Sequence, residues 1–242
     1  MKRILITGAN KGIGFETTRQ LLQKGHYVYL GSRDSENGEK AVEKLKSEGL
    51  KNVEFVQIDV TDDNSVKNAH IELSKKTEVL DILINNAGTS GILPQTTFTE
   101  VDEFKKVYDI NVFGVIRVTQ AFIDLLKKSD EPCIVNVSTG MASLNLTTDP
   151  TFPYYNNKAV VYQSSKTALN MYTVTLAYEL RNTAFKVNAV CPGYTKTDFT
   201  MYNGGNVEDA GKRIVKYALV DKDGPTGKFF CEEVFPETEC PW

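Results

Sequence analysis

The sequence is constrained most by a glycine-rich turn near its beginning, Thr7 to Gly14. The apolar run Ile4-Leu5-Ile6 leads directly into this turn, and the apolar spacing of a helix follows it. Because the run contains no polar residue, it suits a strand that is buried on both faces, as in a parallel sheet. Glycines let the backbone turn sharply and approach a ligand closely. The helix would begin near Gly12 and direct its unpaired N–H groups at the turn, which favours a bound pyrophosphate.

Apolar runs and helical patterns continue to alternate along the chain. Further strands are predicted at Tyr27 to Leu30, Val53 to Ile58, Leu80 to Ile84, Ile134 to Val137, Lys186 to Val190 and, near the end, Lys228 to Cys231. Helices are predicted between them, at about residues 13–24, 36–48, 62–77, 102–127 and 159–181, with a short one that ends at Leu219. This alternation predicts an α/β fold with a doubly wound parallel sheet, the Rossmann fold, as a single domain over residues 1–242. Ligands of such sheets bind at the carboxyl ends of the strands.

The composition argues against several classes of function. The net charge of −3 includes no basic stripe, so nucleic acid is not expected as a partner. No apolar run is long enough to cross a bilayer or to form a signal peptide, so no membrane is expected and the expected location is cytoplasmic. The two histidines and the four cysteines show neither metal-ligand nor redox spacing, so no metal site is expected. The cysteines are Cys133, Cys191, Cys231 and Cys240.

The end of the second strand, Gly31-Ser32-Arg33-Asp34, is where a fold of this kind selects its dinucleotide. An acidic residue here would hydrogen-bond the ribose 2′-hydroxyl of NAD, whereas an arginine accommodates the 2′-phosphate of NADP. Arg33 therefore favours NADP(H), and Lys11 in the glycine-rich turn could place a second positive charge beside the same phosphate. Two alternatives stay open: Arg33 could be a solvated surface charge, and Asp34 could compete with the phosphate.

Polar residues also follow the third and fourth strands. Asp59, which precedes Val60, could accept a hydrogen bond from an adenine amino group or could begin the cap of the next helix. The sequence Asn85-Asn86-Ala87-Gly88 ends the fourth strand, where small residues let a loop pass close to a cofactor and asparagine side chains can tie strand ends together. Asn111 falls inside a predicted helix, which is unfavourable for this residue unless its side chain is used.

Tyr162 and Lys166 stand four residues apart on the predicted helix over 159–181, and therefore on one face of it. A phenol is a poor acid or base at neutral pH, but an ammonium group beside it favours phenolate and lowers its pKa toward the working range. This pair could therefore carry out acid–base chemistry. The same spacing also arises by chance on amphipathic helices, so the pair alone does not decide the function.

Taken together, these motifs resemble those of the short-chain dehydrogenase/reductase family. They are Thr7-Gly8-x-x-x-Gly12-x-Gly14, Asn85-Asn86-Ala87-Gly88, Asn111, Tyr162-x-x-x-Lys166 and Pro192-Gly193, in this order over nearly the whole chain. Within the family the chain is most similar to the NADPH-dependent carbonyl reductases. That similarity lies in Ala9-Asn10-Lys11-Gly12, Ser32-Arg33-Asp34, Val190-Cys191-Pro192-Gly193, and the ending Gly224-Pro225-x-Gly227-Lys228-Phe229 with Trp242.

The resemblance implies a role for each matching residue. Tyr162 would give its proton to a carbonyl oxygen as hydride leaves the nicotinamide, and Lys166 would hold the nicotinamide ribose and lower the tyrosine pKa. Asn111 would hold a water that links Lys166 to solvent, and with Thr139 these residues form the expected catalytic set. The expected cofactor contacts are Gly8, Asn10, Lys11, Gly12, Ile13, Gly14, Arg33, Asp59, Val60, Asn86, Ala87, Gly88, Val137, Tyr162, Lys166, Pro192, Gly193, Thr195 and Thr197.

The expected substrate contacts depart from the family pattern. The family's substrate-orienting serine is usually the second of a Ser-Ser pair, and Ser138-Thr139 stands in that place here. A threonine hydroxyl can make the same hydrogen bond, so Thr139 is favoured and Ser138 is the alternative. Tyr194 and Phe199 complete the expected contacts, in a loop over residues 194–207 that could close over substrate. The expected rim is mostly apolar and comprises Leu144, Leu146, Tyr155, Tyr194, Phe199 and Met201.

The predicted function is reversible reduction, with NADPH, of a small apolar ketone or aldehyde. An NADP-binding redox sensor without turnover is the alternative, and a dehydratase or epimerase lacks further acid–base candidates. The stretch from Thr139 to Tyr162 is about ten residues longer than is common in the family. These residues could cover the helix face through which many relatives pair, so a homo-oligomer is one alternative and the number of subunits stays open.

Overall fold

Seven strands and eight α-helices form within the residues that the computed structural model describes, which are 1–92, 96–236 and 238–242. The strands are β1 (Arg3–Ile6), β2 (Tyr27–Ser32), β3 (Val53–Gln57), β4 (Ile82–Asn85), β5 (Cys133–Val137), β6 (Lys186–Val190) and β7 (Phe229–Phe230). The helices are α1 (Gly12–Gln23), α2 (Ser35–Ser47), α3 (Asp63–Ser74), α4 (Val101–Tyr108), α5 (Gly114–Leu126), α6 (Leu144–Thr148), α7 (Val160–Glu179) and α8 (Val207–Ala218). A π-helical turn at Asp109–Phe113 joins α4 to α5, and 3₁₀ turns lie at Thr96–Phe98, Gly140–Ala142 and Asp198–Thr200.

The strands pair in the order β3-β2-β1-β4-β5-β6-β7, and each pair is parallel. Leu5 of β1 is paired with Tyr29 of β2 on one side and with Leu83 of β4 on the other. The order therefore reverses between β1 and β4, as in doubly wound sheets, and the predicted fold class is confirmed. In such sheets ligands bind outside the carboxyl ends of the two strands at the reversal.

The residues of β1 alternate between two buried clusters on opposite faces of the sheet. Ile4 and Ile6 pack with apolar residues of α1, α2 and α8, whereas Leu5 packs with those of α3, α5 and α7. None of these three side chains is exposed. Because successive strand residues point to opposite faces, a strand that helices cover on both faces is apolar throughout. This burial explains why the run before the glycine-rich turn contains no polar residue.

The long helix predicted over residues 102–127 is interrupted, so that prediction is wrong. α4 ends at Tyr108, the π turn follows, and α5 begins at Gly114. Asn111 lies in the π turn with a completely buried side chain. A π turn changes the direction in which a helix presents its side chains, and such turns are frequent at functional sites. The π turn thus contains Asn111, the polar residue that is unfavourable in a helix interior.

Three other boundaries differ from the prediction. β2 continues through Gly31 to Ser32, and a Cβ at Gly31 would lie 2.7 Å from the Ile6 carbonyl oxygen, so only glycine fits there. β4 begins at Ile82, because the Leu80 N–H donates to the Leu125 carbonyl of α5 instead of to the sheet. The short helix α6 lies between β5 and α7, where no helix was predicted. No helix of the described residues combines the length and the apolar character needed to cross a bilayer.

Replacement of Phe122 tests the packing between α5 and the sheet. Phe122 is fully buried, and Phe122→Ala should lower the free energy of unfolding by about 3–5 kcal/mol, because apolar contact is lost and a cavity is left. Phe98 is 75% exposed, and Phe98→Ala is the matched control, with an expected change below about 0.5 kcal/mol. Denaturant unfolding followed by circular dichroism measures both. Equal stability of the two variants would contradict the packing described.

Candidate active site

The glycine-rich turn is held against the loop that follows β4. Gly8 has φ +62°, and a Cβ built on it would lie 2.9 Å from the Ala87 Cα; one on Gly14 would lie 2.5 Å from the Asn86 Nδ2. The Asn86 amide donates to the Thr7 and Gly8 carbonyls at 2.9 and 3.0 Å. Only glycine permits this approach of backbone to backbone. The turn is therefore fixed in front of the α1 N-terminus, where an anion is favoured.

Asn85 ties β4 to its other neighbour. Its Nδ2 donates to Asn136 Oδ1 of β5 at 2.9 Å and to Thr119 Oγ1 of α5 at 3.2 Å. The Asn136 amide in turn donates to the Thr173 hydroxyl of α7 at 2.9 Å. The two asparagines thus link sheet and helices, as the sequence predicted for side chains at strand ends.

Arg33 and Asp34 have different surroundings at the end of β2. The Asp34 carboxylate accepts from the Asn37 N–H at 2.8 Å and caps α2, so it is engaged in the helix rather than with Arg33. Arg33 is exposed and makes no hydrogen bond or ion pair with any residue in the described part of the chain. It lines an open cleft that also includes Asp59 and Ser65. A cation without a protein partner at this strand end is available to a phosphate.

The structure shows which aspartate after β3 caps the next helix, a question that the sequence left open. Asp62, not Asp59, caps α3, since its carboxylate accepts from the Asn64 and Ser65 N–H groups. Asp59 instead accepts from the Thr61 N–H and hydroxyl at 3.0 and 2.7 Å. The carbonyl oxygen of the buried Val60 accepts a hydrogen bond from the Arg117 guanidinium at 3.1 Å. Asp59 and Arg33 border the same cleft, so the adenine role expected for Asp59 stays a prediction.

Tyr162 and Lys166 lie on α7 beside the ends of β4 and β5. The Thr139 hydroxyl beside Tyr162 favours the phenolate and lowers the Tyr162 pKa, but burial has the larger effect and raises that pKa above that of a free tyrosine. Lys166 is buried, and its Nζ donates to the Val137 carbonyl at 2.8 Å. A Cβ at Gly88 would lie 3.5 Å from that Nζ, so the loop after β4 passes close to the ammonium group.

The two ionisable groups respond to burial in opposite senses. Burial lowers the pKa of Lys166 to about 8, and it raises the pKa of Tyr162. The lowering expected for the tyrosine from its lysine neighbour is therefore not what this structure shows, because removal of the phenolate from water is the larger effect. The neutral phenol is the form that dominates at neutral pH.

Thr139 and Ser138 separate into different roles. The Ser138 hydroxyl is buried and donates to Asn170 Oδ1 on α7 at 2.6 Å. The expected substrate contact of Ser138 is therefore corrected, because this hydroxyl is used inside the protein. The Thr139 hydroxyl contacts Tyr162 and also accepts from the Met141 N–H at 3.3 Å. Thr139 is the one of the two whose hydroxyl is next to the tyrosine.

Asn111 braces the helix that carries Tyr162. Its Nδ2 donates to the Thr89 carbonyl and to the Ser165 hydroxyl, both at 2.9 Å, and its Oδ1 accepts from the Thr89 N–H at 2.9 Å. The Ser165 hydroxyl donates to the Tyr162 carbonyl at 2.7 Å. Both amide hydrogens of Asn111 are thus bound to protein atoms. A water on this residue would have to bind elsewhere than at the amide nitrogen.

The loop over residues 194–207 folds over the glycine-rich turn and over Tyr162. The Thr197 γ-methyl lies 3.4 Å from a Cβ built on Gly12, and the Phe199 ring centre is 5.5 Å from that of Tyr162. The loop is closed on itself by a bridge between Thr195 and Gly205. It therefore lies between the turn and the tyrosine on one side and solvent on the other.

The expected rim is present only in part. Tyr194, Phe199 and Met201 are 46%, 44% and 80% exposed and lie on the loop. Leu146, which was expected on the rim, is buried with Phe152 and other apolar residues near β7. That expectation is therefore corrected: Leu146 belongs to the core.

Comparison with known proteins identifies the family. The family model described as short chain dehydrogenase matches residues 2–207. The chain belongs to the short-chain dehydrogenase family. It is 32% identical to the (+)-neomenthol dehydrogenase of Capsicum annuum, over 93% of this chain and 94% of that protein. It is also 32% identical to the salutaridine reductase of Papaver bracteatum, over 97% and 96%. The predicted resemblance is confirmed, and this dehydrogenase is an oxidoreductase of carbonyl and alcohol groups.

Solved structures agree with this assignment. The NADPH-bound carbonyl reductase from chicken fatty liver matches with a TM-score of 0.87 and 26% identity, over 100% of this chain and 99% of that chain. The salutaridine reductase of Papaver somniferum matches with a TM-score of 0.83 and 31% identity, over 95% and 99%. The whole described fold of this dehydrogenase is thus that of known reductases.

Two residues near the site escaped the sequence analysis. Arg213 of α8 donates to the Pro192 carbonyl at 2.6 Å, and Glu233 accepts from the Tyr194 N–H at 3.1 Å. They hold the turn at Pro192 and Gly193 from outside. Neither lies in a motif, and each acts across a long sequence separation, so the local sequence contains no signal for them.

The stability of this dehydrogenase should report the burial of Lys166. The lysine pKa is about 8 in the folded chain, below its unfolded value, so below pH 8 both states hold the proton and the buried charge costs its full amount. Between about pH 8 and pH 10 the unfolded state binds more protons at this site, so stability rises with pH. From pH 8 to pH 10, the free energy of unfolding of the unchanged protein should gain about 2 kcal/mol relative to Lys166→Met.

Denaturant unfolding at several pH values measures this difference. Lys127→Met, which removes an exposed lysine at the end of α5, is the control for the loss of a surface charge. A difference between the unchanged protein and Lys166→Met that is the same at pH 8 and pH 10 would show that Lys166 is not buried as described.

Proposed function

We propose that this dehydrogenase reduces the carbonyl group of a small apolar ketone or aldehyde with NADPH, reversibly, and that Tyr162 is the acid. The observation that carries the proposal is the buried Lys166, which lies one helix turn from Tyr162 on α7 and whose Nζ donates to the Val137 carbonyl at the end of β5. These groups lie at the strand ends where doubly wound sheets bind ligands.

NADP(H) is the cofactor, and the residues present fit it. Similar structures that hold it include the chicken carbonyl reductase and ElxO with NADP bound, which is 29% identical over 95% of this chain with a TM-score of 0.80. The N-terminus of α1 behind the glycine-rich turn has no side-chain cap, which leaves it available to a pyrophosphate, and Arg33 has no partner in the described chain. We assign the dinucleotide to the set of contacts predicted from the sequence, with Arg33 at the 2′-phosphate.

The cofactor supplies the hydride for the carbonyl carbon, and the protein supplies the proton. Because burial raises the pKa of Tyr162, its hydroxyl keeps a proton at neutral pH and can donate it to the carbonyl oxygen. The Thr139 hydroxyl is close enough to bind the same oxygen and to stabilise the phenolate that the transfer leaves.

The positive charge of Lys166 stabilises the Tyr162 phenolate in a buried site. Its ammonium group is positive below its pKa of about 8, and a positive charge nearby favours an ionised phenol. Asn111 contributes indirectly, since it holds Ser165 and with it the helix turn that carries Tyr162. In the reverse reaction Tyr162 accepts the proton of an alcohol, and the same charge favours that acceptance.

The surroundings of Tyr162 support an apolar substrate. Phe199 lies over the tyrosine ring, and Tyr194 contacts Tyr154 with ring centres 6.0 Å apart. Aromatic walls of this kind bind apolar groups, and the hydroxyls of Tyr162 and Thr139 orient the carbonyl. We propose that the loop over residues 194–207 closes this pocket, within a single domain over residues 1–242. A homo-oligomer is compatible with this proposal.

Replacement of the acid tests the proposal directly. Tyr162→Phe should lower kcat for NADPH-dependent reduction of a panel of apolar ketones, aldehydes and diketones by about 10²–10⁴, because the proton donor is lost. NADPH binding, measured by fluorescence titration, should persist. Tyr178→Phe, which changes an exposed tyrosine on the same helix, should leave kcat unchanged. Unchanged turnover in Tyr162→Phe refutes the assignment, and tight NADPH binding with no turnover by the unchanged protein would favour a redox sensor.

The phosphate role of Arg33 is tested with two cofactors. Arg33→Ala should weaken NADPH binding by about 1–3 kcal/mol, because a charged hydrogen bond is lost, and should leave NADH binding nearly unchanged. Arg181→Ala removes an exposed arginine after α7 and serves as the control. Isothermal titration of all three proteins with both cofactors gives the six dissociation constants that the comparison needs. Equal weakening for NADPH and NADH would refute the role.

A further inference from the structure

Lys11 and Arg33 flank the same edge of the sheet. The Ala9 N–H donates to the Gly31 carbonyl at 2.8 Å, and each cation stands two residues beyond one partner of this hydrogen bond. Their surroundings differ, however. Arg33 has no partner in the described chain, whereas the Lys11 Nζ lies 2.6 Å from the Asp198 Oδ2. One of the two cations is therefore already bound to an anion of the protein.

Asp198 is held in place by its own loop. It begins the 3₁₀ turn at Asp198–Thr200, and its other carboxylate oxygen accepts from the Tyr202 hydroxyl. Met201 and Tyr202 have left-handed φ angles of 51° and 61°, which are uncommon for residues other than glycine and persist only where the surroundings fix them. The loop thus holds the carboxylate opposite Lys11 in a defined position.

We infer that Asp198 reduces the preference for NADPH over NADH, because its carboxylate is paired with Lys11 and must be displaced by the cofactor's 2′-phosphate. This inference rests on the proposed function. A phosphate monoester carries about −1.5 to −2 charge at pH 7, so it attracts Lys11 more strongly than a single carboxylate does. The exchange replaces one ion pair by another, and Lys11 therefore contributes less to NADPH binding than an unpaired lysine would.

The exposure of the pair is consistent with such an exchange. The side chains of Lys11 and Asp198 are 68% and 48% exposed, and exposed ion pairs are weak enough to be replaced by a ligand. NADH has no 2′-phosphate, so it can bind while the Lys11–Asp198 pair stays intact. Asp198 therefore opposes NADPH alone, and its removal should act on NADPH alone.

Asp198→Asn removes the charge but keeps the size of the side chain and an oxygen that can accept from Tyr202. Titration of the full chain at constant ionic strength should give about two- to fivefold tighter NADPH binding, the range that an exposed ion pair provides, and an unchanged dissociation constant for NADH. In a Lys11→Met background, Asp198→Asn should have no effect on either cofactor. Asp209→Asn is the matched control, because Asp209 is 50% exposed and pairs with Lys212 at 2.9 Å on α8.

The outcomes distinguish this inference from the proposed function. If the unchanged protein binds NADPH but Asp198→Asn leaves its affinity unchanged or weakens it, the inference is overturned and the proposed function stands. Equal tightening for NADPH and NADH also overturns it, because the phosphate would not be the competitor. Tightening of NADPH that persists in Lys11→Met overturns it as well, because the phosphate and Asp198 would then not compete for Lys11. Failure of the unchanged protein to bind NADPH overturns both.

Discussion

The close approach of two backbone segments at the reversal point of the sheet is the constraint on which the site depends. Gly8 and Gly14 have no side chain where the chain after β4 passes, and the Asn86 amide occupies the space between. A side chain at either glycine would push the loop after β4 away from the turn. Since the same loop passes Lys166 at Gly88, a displacement at the turn would reach α7 as well. The glycine-rich turn and α7 are therefore parts of one packed unit.

Buried polar side chains connect that unit to α7. Asn136 contacts Asn85 on one side and Thr173 of α7 on the other, and Ser138 contacts Asn170 of α7. Directed hydrogen bonds fix the rotation and height of a helix, whereas apolar packing alone tolerates small shifts. Two polar atoms, Asn85 Oδ1 and Asn170 Nδ2, are buried without a hydrogen-bond partner in the described chain. Their desolvation lowers the stability of the fold, and apolar residues would avoid this loss. In return, the hydrogen bonds of this network fix the position of α7, which carries Tyr162.

The sequence predicted the fold well because its strongest signals are local. Short apolar runs followed by glycine turns required a parallel sheet, and Tyr162 and Lys166 share a helix face by spacing alone. The interruption at Asn111 was not predicted, because its cause is a set of hydrogen bonds to Thr89 and Ser165 that no local pattern records. The same holds for Arg213 and Glu233, whose partners lie 21 and 39 residues away. The choice between Ser138 and Thr139 also required the position of Asn170.

Burial acts on both ionisable groups of the candidate site, Tyr162 and Lys166. Each group alone is driven toward its neutral form, since burial raises the tyrosine pKa and lowers the lysine pKa to about 8. A phenolate formed by proton donation would be costly in such a site, but the low local dielectric that makes it costly also strengthens its attraction to the ammonium group. In the proposed reaction the phenol keeps its proton until an acceptor is present, and a charged Lys166 favours the release of that proton.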